Sequence, residues 1–469
     1  MSTRIIALAA GKGKRMNSKL PKVLHGIAGK SMLKHVLDTA GPLTEKAPIV
    51  VHGLDGDLLK SAICRSDIDW VLQAEQLGTG HAVRQTIHLL DDSDLALILC
   101  ADMPLIRTAS LRKLIDRANE ESFSILTVVP DNPFGYGRVL RNSQGYIDRI
   151  VETFDLKDSQ TSVTECNTGI FALRASMLKR WLPQLNKNNA QSEFYLTDCV
   201  TLASSEGVNV SPILVSDPKE GMGVNNKKQL AFAERVYQRQ LAEELMEAGV
   251  TLVDPDRVDV RGSLVCGKDV TIDVNVIFEG DVNIGDGVYV GPNNVIKDSD
   301  ILENSTIKAN CVLESVFVGS ESKVGPFSRL RSGTALSEKT VVGNFVEIKK
   351  ASIGEGSKVN HLSYIGDAEL GSNVNIGAGT ITCNFDGANK HKTVLEDDVF
   401  VGSNSELVAP VRVGAGSTVG AGTTVTKDVE GEQLVVSRVS QKHIPGWRRP
   451  SKDGSDSSLP NATQNKTRK

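Results

Sequence analysis

The chain has 469 residues, too many for one ordinary core, with 40% hydrophobic and 23% charged residues and a formal net charge of −4. That balance excludes the concentrated basic field a nucleic-acid-binding surface needs, and no uncharged apolar run reaches the length that crosses a bilayer. Only 4% of the residues are aromatic while 42 are glycine, a bias that points to a repetitive, tightly turned β architecture in part of the chain.

Residues 1–10 lack the basic, apolar and cleavage-site regions of a signal peptide. The seven cysteines are scattered and form no C-x-x-C pair, so neither a disulfide framework nor a zinc site is implied and a cytoplasmic setting is expected.

Over residues 1–225 strands alternate with helices. Apolar strands are expected at 4–10, 49–51 and 95–100, with helices at 31–40 and 80–90 between them. This alternation implies a mainly parallel sheet with helices on both faces and a ligand site beyond the C-terminal strand ends, where Gly11 and Asp102 fall. Residues 226–250 read as a linker helix, with Leu230, Ala233, Tyr237, Leu241, Leu245 and Ala248 as its apolar stripe. Beyond it the period changes to six: Val318, Val324, Leu330, Leu336, Val342 and Ile348 follow without a break, as do Val401, Leu407, Val413, Val419 and Val425. A period of six fits neither an α-helix nor a simple strand and marks a hexapeptide β-helix over 251–449. The polar residues 450–469 read as a disordered tail.

Leu8-Ala9-Ala10-Gly11-Lys12-Gly13-Lys14-Arg15-Met16, followed by Leu20-Pro21-Lys22, comes directly after the first strand. Glycines let backbone N–H groups approach phosphate oxygens, and Lys12, Arg15 and Lys22 add positive charge. Met16 excludes the dinucleotide fingerprint, and the G-x-x-x-x-G-K-[ST] pattern is absent because Leu24 stands where its first glycine belongs. Asp102, at the end of a strand, suits either a Mg²⁺ ligand or a helix N-cap.

Together with Gln73, the run Leu77-Gly78-Thr79-Gly80-His81-Ala82, Gly135-Tyr136-Gly137-Arg138, Ile150-Val151-Glu152, Asn167-Thr168-Gly169 and Gly223-Val224-Asn225, these motifs resemble the sugar-1-phosphate nucleotidyltransferases. With the repeat behind them, the chain to about Trp447 resembles the bifunctional bacterial family that joins an N-acetylglucosamine-1-phosphate uridyltransferase to a glucosamine-1-phosphate N-acetyltransferase. The fold this implies is α/β: a Rossmann-like nucleotidyltransferase domain, a linker helix and a left-handed parallel β-helix.

The resemblance implies that Leu8, Ala9, Ala10, Gly11, Gln73, Gly78 and Thr79 line the nucleotide site and that Gly137, Glu152 and Asn167 hold the amino sugar. It makes Asp102 and Asn225 ligands of Mg²⁺, with Arg15 and Lys22 offsetting charge on UTP.

In the repeat, a coil of three six-residue edges stacks residues 18 apart, which sets Arg331 beside Lys349 at about 4.8 Å. Two such cations repel by about 1 kcal/mol even in bulk water, so they are either solvated surface side chains or an anion site. The resemblance assigns Arg331, Lys349, Tyr364 and Asn375 to the sugar phosphate and makes His361 the base, a role that an imidazole suits. Glu347 is a candidate for orienting it. Ala378, Asn384, Phe385, Ser403, Ala421 and Arg438 match acetyl-CoA contacts, with Lys390 completing the set; Phe385 replaces the tyrosine common in the family and so lacks its hydroxyl. A homotrimer with sites between subunits is also implied. The competing expectation is a monofunctional nucleotidyltransferase whose β-helix is only an assembly module.

Overall fold

A computed structural model of the chain describes residues 2–118, 122–447 and 449; the tail expected at 450–469 lies outside them. The front sheet runs in the order Asn209–Leu214, Ser122–Val128, Cys166–Arg174, Leu95–Cys100, Thr3–Ala9, Ile49–His52, Asp69–Leu72. Of these seven strands only Cys166–Arg174 runs against its neighbours. The sheet is mainly parallel as expected, and its one reversed strand has a geometric reason. The chain reaches that strand through the hairpin Arg138–Arg141/Ile147–Val151 and short turns, without the helical crossover that a parallel return requires. Leu8 stands opposite Cys100 in the ladder, so the glycine turn and Asp102 leave the same edge of the sheet.

The helix expected at 31–40 forms over Met32–Ala40, where Ser31 caps it by accepting from the Lys34 N–H at 3.3 Å. The one expected at 80–90 is shorter. Thr79–Arg84 is α-helical, and then the Thr86 N–H and hydroxyl both turn to the Val83 carbonyl, at 2.9 and 2.7 Å, which tightens the chain into the 3-10 turn Ile87–Leu89.

Lys227–Glu247 is a single helix capped by Asn226. Leu230, Ala233 and Tyr237 pack on Ile27, Met32, Leu105 and Val224 of the front, Ala242 and Leu245 pack on the rear core, and Leu241 touches both. A polar chain runs across it. The Ala28 N–H donates to Glu234 at 2.8 Å, and the Gln238 amide donates to Glu234 at 2.8 Å. Buried Gln238 also exchanges two 2.8 Å bonds with the backbone of Val260 in the first coil. Gly29 makes the approach possible: a Cβ there would lie 2.8 Å from the Arg261 carbonyl carbon and oxygen.

Behind the helix, strands pair in parallel with partners one coil on, as in Val258↔Val276, Val295↔Val312, Arg329↔Glu347 and Glu347↔Tyr364. Successive partners are thus 17 or 18 residues apart. One coil is longer, joining Ile381 to Glu406, because a loop closed by the Phe385↔Lys390 bridge leaves the prism. The 17-residue coils and this loop account for slips in the six-residue phase. Each aliphatic residue of the two six-residue runs is at most 2% exposed. Burial of each stabilises the coil by about 1.5–3 kcal/mol, which fixes the register. All seven cysteines are free thiols, and no helix among the described residues is long and apolar enough to cross a membrane.

Gln238→Leu would leave the Val260 N–H and carbonyl unpaired in a closed interface, at a cost of about 2–4 kcal/mol. A fall in the urea midpoint, followed by circular dichroism, checks this; an unchanged midpoint would mean the bridge between helix and first coil contributes little.

Candidate functional sites

At the front, the glycine turn folds back on Lys22. Gly13 has φ +56°, and a Cβ there would press to 2.6 Å from the Lys22 Cβ, whereas one at Gly11 would meet nothing within 4 Å. Gly11 therefore presents open backbone. Lys22 forms an ion pair with Asp102 and donates to Asn225 Oδ1 at 2.7 Å, and Arg15 donates to the same oxygen at 2.9 Å. Asn225 is held in turn by Gln229, which accepts from its N–H at 2.8 Å, while the Val224 N–H bonds the Asp102 carbonyl at 2.9 Å. The next helix, Thr108–Arg117, begins six residues after Asp102, so Asp102 is not its N-cap.

Two side-chain oxygens thus converge on one cationic nitrogen, and an oxygen-only donor set suits Mg²⁺. No group of three His, Cys, Asp or Glu side chains gathers for a metal among the described residues. A metal held here would complete its shell from phosphate and water. The neighbouring Cys100 thiol is pushed up to about 12, chiefly by burial.

Two further clusters flank this centre. Gln73, at the end of the strand Asp69–Leu72, donates to the Gly78 carbonyl at 3.1 Å and is 3% exposed. Gly78 has φ +106°, and a Cβ there would lie 2.5 Å from the Phe194 carbonyl oxygen. The loop is zipped to 193–196 by Phe194 N–H to Leu77 O and Gly80 N–H to Phe194 O, both 2.8 Å, and by Leu196 N–H to the Thr79 hydroxyl, 3.0 Å. On the other side, Asn167 donates from its backbone to the Gly137 carbonyl at 2.9 Å, and a Cβ at Gly137 would lie 3.3 Å from Glu152 Oε2. Burial raises the Glu152 carboxyl above its usual range, opposed by the Thr197 hydroxyl that donates to it at 3.0 Å. Ala9 and Ala10 are buried at the end of the first strand, and the Ala101 N–H bonds the Leu8 carbonyl at 3.1 Å, so these residues hold the strand end that carries Gly11.

In the rear domain the ladder continues one residue past Leu330↔Ile348, with the Arg331 N–H bonding the Ile348 carbonyl at 2.9 Å. Arg331 and Lys349 are therefore neighbours on successive coils. Lys390 joins them from the protruding loop, and Lys390 first, then desolvation and Arg331, hold the Lys349 ammonium below its ordinary pKa. Asp367 anchors this loop, accepting from Asn384 at 2.5 Å and lying 4.0 Å from Lys390. Asn384 also lies 3.5 Å from the Tyr364 hydroxyl.

His361 stands opposite Asn344 in the ladder, with Nδ1 3.0 Å from the Asn344 side-chain oxygen. This corrects the expectation for Glu347, which instead accepts from Arg331 at 2.9 Å. Asn344 was hidden because it lies 17 residues before the histidine, not 18.

From His361 the corner runs through Ala378, Ser403 and Ala421 on successive coils. The Val359↔Ile376, Ile376↔Val401 and Val401↔Val419 pairs set that alignment. It is laced by Gly379 N–H to His361 O at 3.3 Å, then Asn404 N–H to Ala378 O and Gly422 N–H to Ser403 O, both 2.8 Å. Arg438 reaches this column, 3.6 Å from the place of a Cβ on Gly420, and Phe385 is exposed on the loop. Tyr364 and Asn375 are not side by side: Tyr364 lies on the face with Glu347, Asn375 on the face with Lys358, and His361 ends the Lys358–His361 strand. Sequence reasoning also missed Asp367 and Thr197, which carry no motif and act through neighbours distant in the chain.

The profile of the MobA-like NTP transferase domain matches residues 5–191, that of the GMPPB C-terminal domain 260–353, and that of the hexapeptide repeat of succinyl-transferase 392–427. A solved nucleotidyl transferase from Methanothermobacter thermautotroptrophicus overlaps 51% of this chain and 99% of its own, at 17% identity and a TM-score of 0.39, too weak a likeness to carry an argument. Among curated proteins, the "Bifunctional protein GlmU" of Marinobacter nauticus is 52% identical over 448 residues, 96% of this chain and 99% of that one. Those of Azoarcus sp. (51% over 448 residues) and Ralstonia nicotianae (50% over 452) cover the same shares. With half of its residues shared along nearly its whole length, the chain belongs to the family of the bifunctional GlmU proteins.

Proposed function

We propose that the rear domain acetylates glucosamine 1-phosphate with acetyl-CoA, and that the front domain then transfers UMP from UTP to the resulting N-acetylglucosamine 1-phosphate with release of pyrophosphate. The observation that carries this reading is the fixed His361–Asn344 pair on a prism that also crowds Arg331, Lys349 and Lys390 together. A coil that served only for assembly would need neither.

In the rear site the cationic cluster takes the sugar phosphate, which relieves the repulsion around Lys349. Asn344 Oδ1 accepts the Nδ1–H of His361, leaving the Nε2 lone pair free. That nitrogen removes a proton as the sugar amine attacks the thioester carbonyl, and coenzyme A leaves as the thiolate. Backbone N–H groups near Ala378 steady the oxyanion, and the column through Ser403 and Ala421, with Asn384, Phe385 and Arg438, receives the coenzyme. Tyr364 and Asn375 hold the sugar from two faces.

In the front site Gln73, Gly78 and Thr79 receive the uracil, and Gly137, Glu152 and Asn167 the amino sugar. Asp102 and Asn225 would hold Mg²⁺, which supplies charge neutralisation on the phosphates when bound. Lys22, released from Asp102, and Arg15 turn to the triphosphate. The sugar phosphate displaces pyrophosphate at the α-phosphorus, and positioning with charge stabilisation carries the step. The setting is cytoplasmic and the assembly a homotrimer. Supporting the latter, Phe327 and Phe345 stack at 5.3 Å on an outer corner, about half exposed, and Leu362 beside His361 is also exposed. A second copy covering this corner would stand next to the base.

His361→Ala should lower acetyl transfer by about 10²–10⁴-fold and leave uridylyl transfer near normal, and Asp102→Ala the reverse. Separate assays of thiol release and pyrophosphate release decide it; loss of both activities from one substitution in a folded protein would refute two independent sites. Asn344→Leu should reduce the acetyl-transfer kcat by about tenfold or more with little change in the KM for sugar phosphate, an effect that steady-state kinetics would read. Light scattering after gel filtration should give three chains per particle, and Phe345→Glu should shift the mass downward; a monomeric parent would remove the shared-site picture.

A further inference from the structure

We infer that His81 is a positioning residue: it fixes the Gln73 amide with its oxygen toward the nucleobase, and so makes the front site select a base that carries a ring N–H. This rests on the reading above that places the base at Gln73.

The argument is one of donors and acceptors. Gln73 is nearly fully buried, so the orientation of its amide is not averaged by water. The Gly78 carbonyl can only accept, and the Gln73 side-chain nitrogen lies 3.1 Å from it. The same nitrogen lies 3.1 Å from His81 Nδ1, which must therefore be the unprotonated nitrogen of the ring. Both amide hydrogens are then engaged, and Oε1 is the one polar atom of Gln73 left to meet a ligand. An oxygen only accepts. Uracil offers N3–H to it, whereas cytosine presents an N3 lone pair and would set acceptor against acceptor.

Several groups hold the imidazole in this state. His81 lies on the short helix Thr79–Arg84, and its ring stacks on Phe194 at 6.2 Å and 25°. Lys187 sits 4.9 Å from the centre of the Phe194 ring. The charged groups facing His81 are Arg84 on its own helix, Glu75 from the preceding loop and Lys187 from the segment after a second 3-10 turn, Leu182–Gln184. Burial first, then Arg84, lowers the imidazole pKa, which keeps the ring neutral at pH 7. The proton then sits on Nε2, 3.1 Å from the Gln85 amide nitrogen, which also donates to the His81 carbonyl at 3.1 Å. Half-buried Gln85 can turn its oxygen to Nε2 and leave that carbonyl to water, an exchange that buried Gln73 cannot make at Gly78.

The test measures kcat and KM of the full-length protein for UTP and CTP, with its acetyl transfer as the check on folding. His81→Leu removes the acceptor, so the KM for UTP should rise and the CTP/UTP ratio of kcat/KM should increase by about tenfold or more, while kcat at saturating UTP changes by less than about twofold. His81→Asn, whose Oδ1 can stand where Nδ1 does, should keep the parent ratio. An unchanged ratio in His81→Leu, or an equal loss in both variants, overturns the role of His81. A Gln73→Leu variant separates this from the underlying reading. If it keeps the parent KM for UTP, the base is held elsewhere and the placement itself is overturned; if it loses UTP while His81→Leu keeps the ratio, the role of His81 alone is.

Discussion

Backbone hydrogen bonds between successive coils decide which side chains of the rear domain become neighbours. Asn344 and His361 meet because strand Val341–Asn344 pairs with Lys358–His361, and Arg331 meets Lys349 because Leu330 pairs with Ile348. The aliphatic interior enforces that alignment, since a slip of one residue would turn buried valines and isoleucines to water. The active groups themselves contribute little to holding the prism. They stand on its outside at places dictated by residues within, and a histidine–asparagine pair, a cluster of cations and an aligned corner column share one scaffold for that reason.

The two sites store charge differently. At the front, Lys22 is already satisfied by Asp102 and Asn225, so any anion bound there would have to exchange one set of partners for another. At the back, Lys349 is crowded by Lys390 and Arg331, and an arriving phosphate removes a repulsion that exists beforehand. Charge is thus balanced internally at the front and left crowded at the back. Glu152 adds a third arrangement, a carboxyl raised by burial and steadied by a single hydroxyl.

The six-residue period was legible because every aliphatic in the run has the same environment; the coil length was not, because a 17-residue turn and an 18-residue turn look alike until corners are seen. That one-residue difference hid Asn344 and promoted Glu347. The strands at 49–51 and 95–100 could be read from unbroken apolar runs. The antiparallel course of Cys166–Arg174 could not, because direction depends on how the chain arrives. That Lys22 and Asp102 would come together could be read from their type and place beyond strand ends. The contact between His81 and Gln73 could not, since it depends on which atom of Gln73 a backbone carbonyl has already claimed.

The helix Lys227–Glu247 has a bearing on how such a two-activity chain can be taken apart. Composition changes at residue 226, yet Gln229 braces Asn225, and Leu230 and Ala233 line a front cluster with Ile27 and Met32. A scission at that change would strip the leading fragment of the brace on Asn225 and expose apolar surface on both pieces. The seam of composition is not the seam of mechanical independence. Any exchange of front or rear modules between relatives has to carry this helix with the front half and rebuild the Val260 contact on the other side.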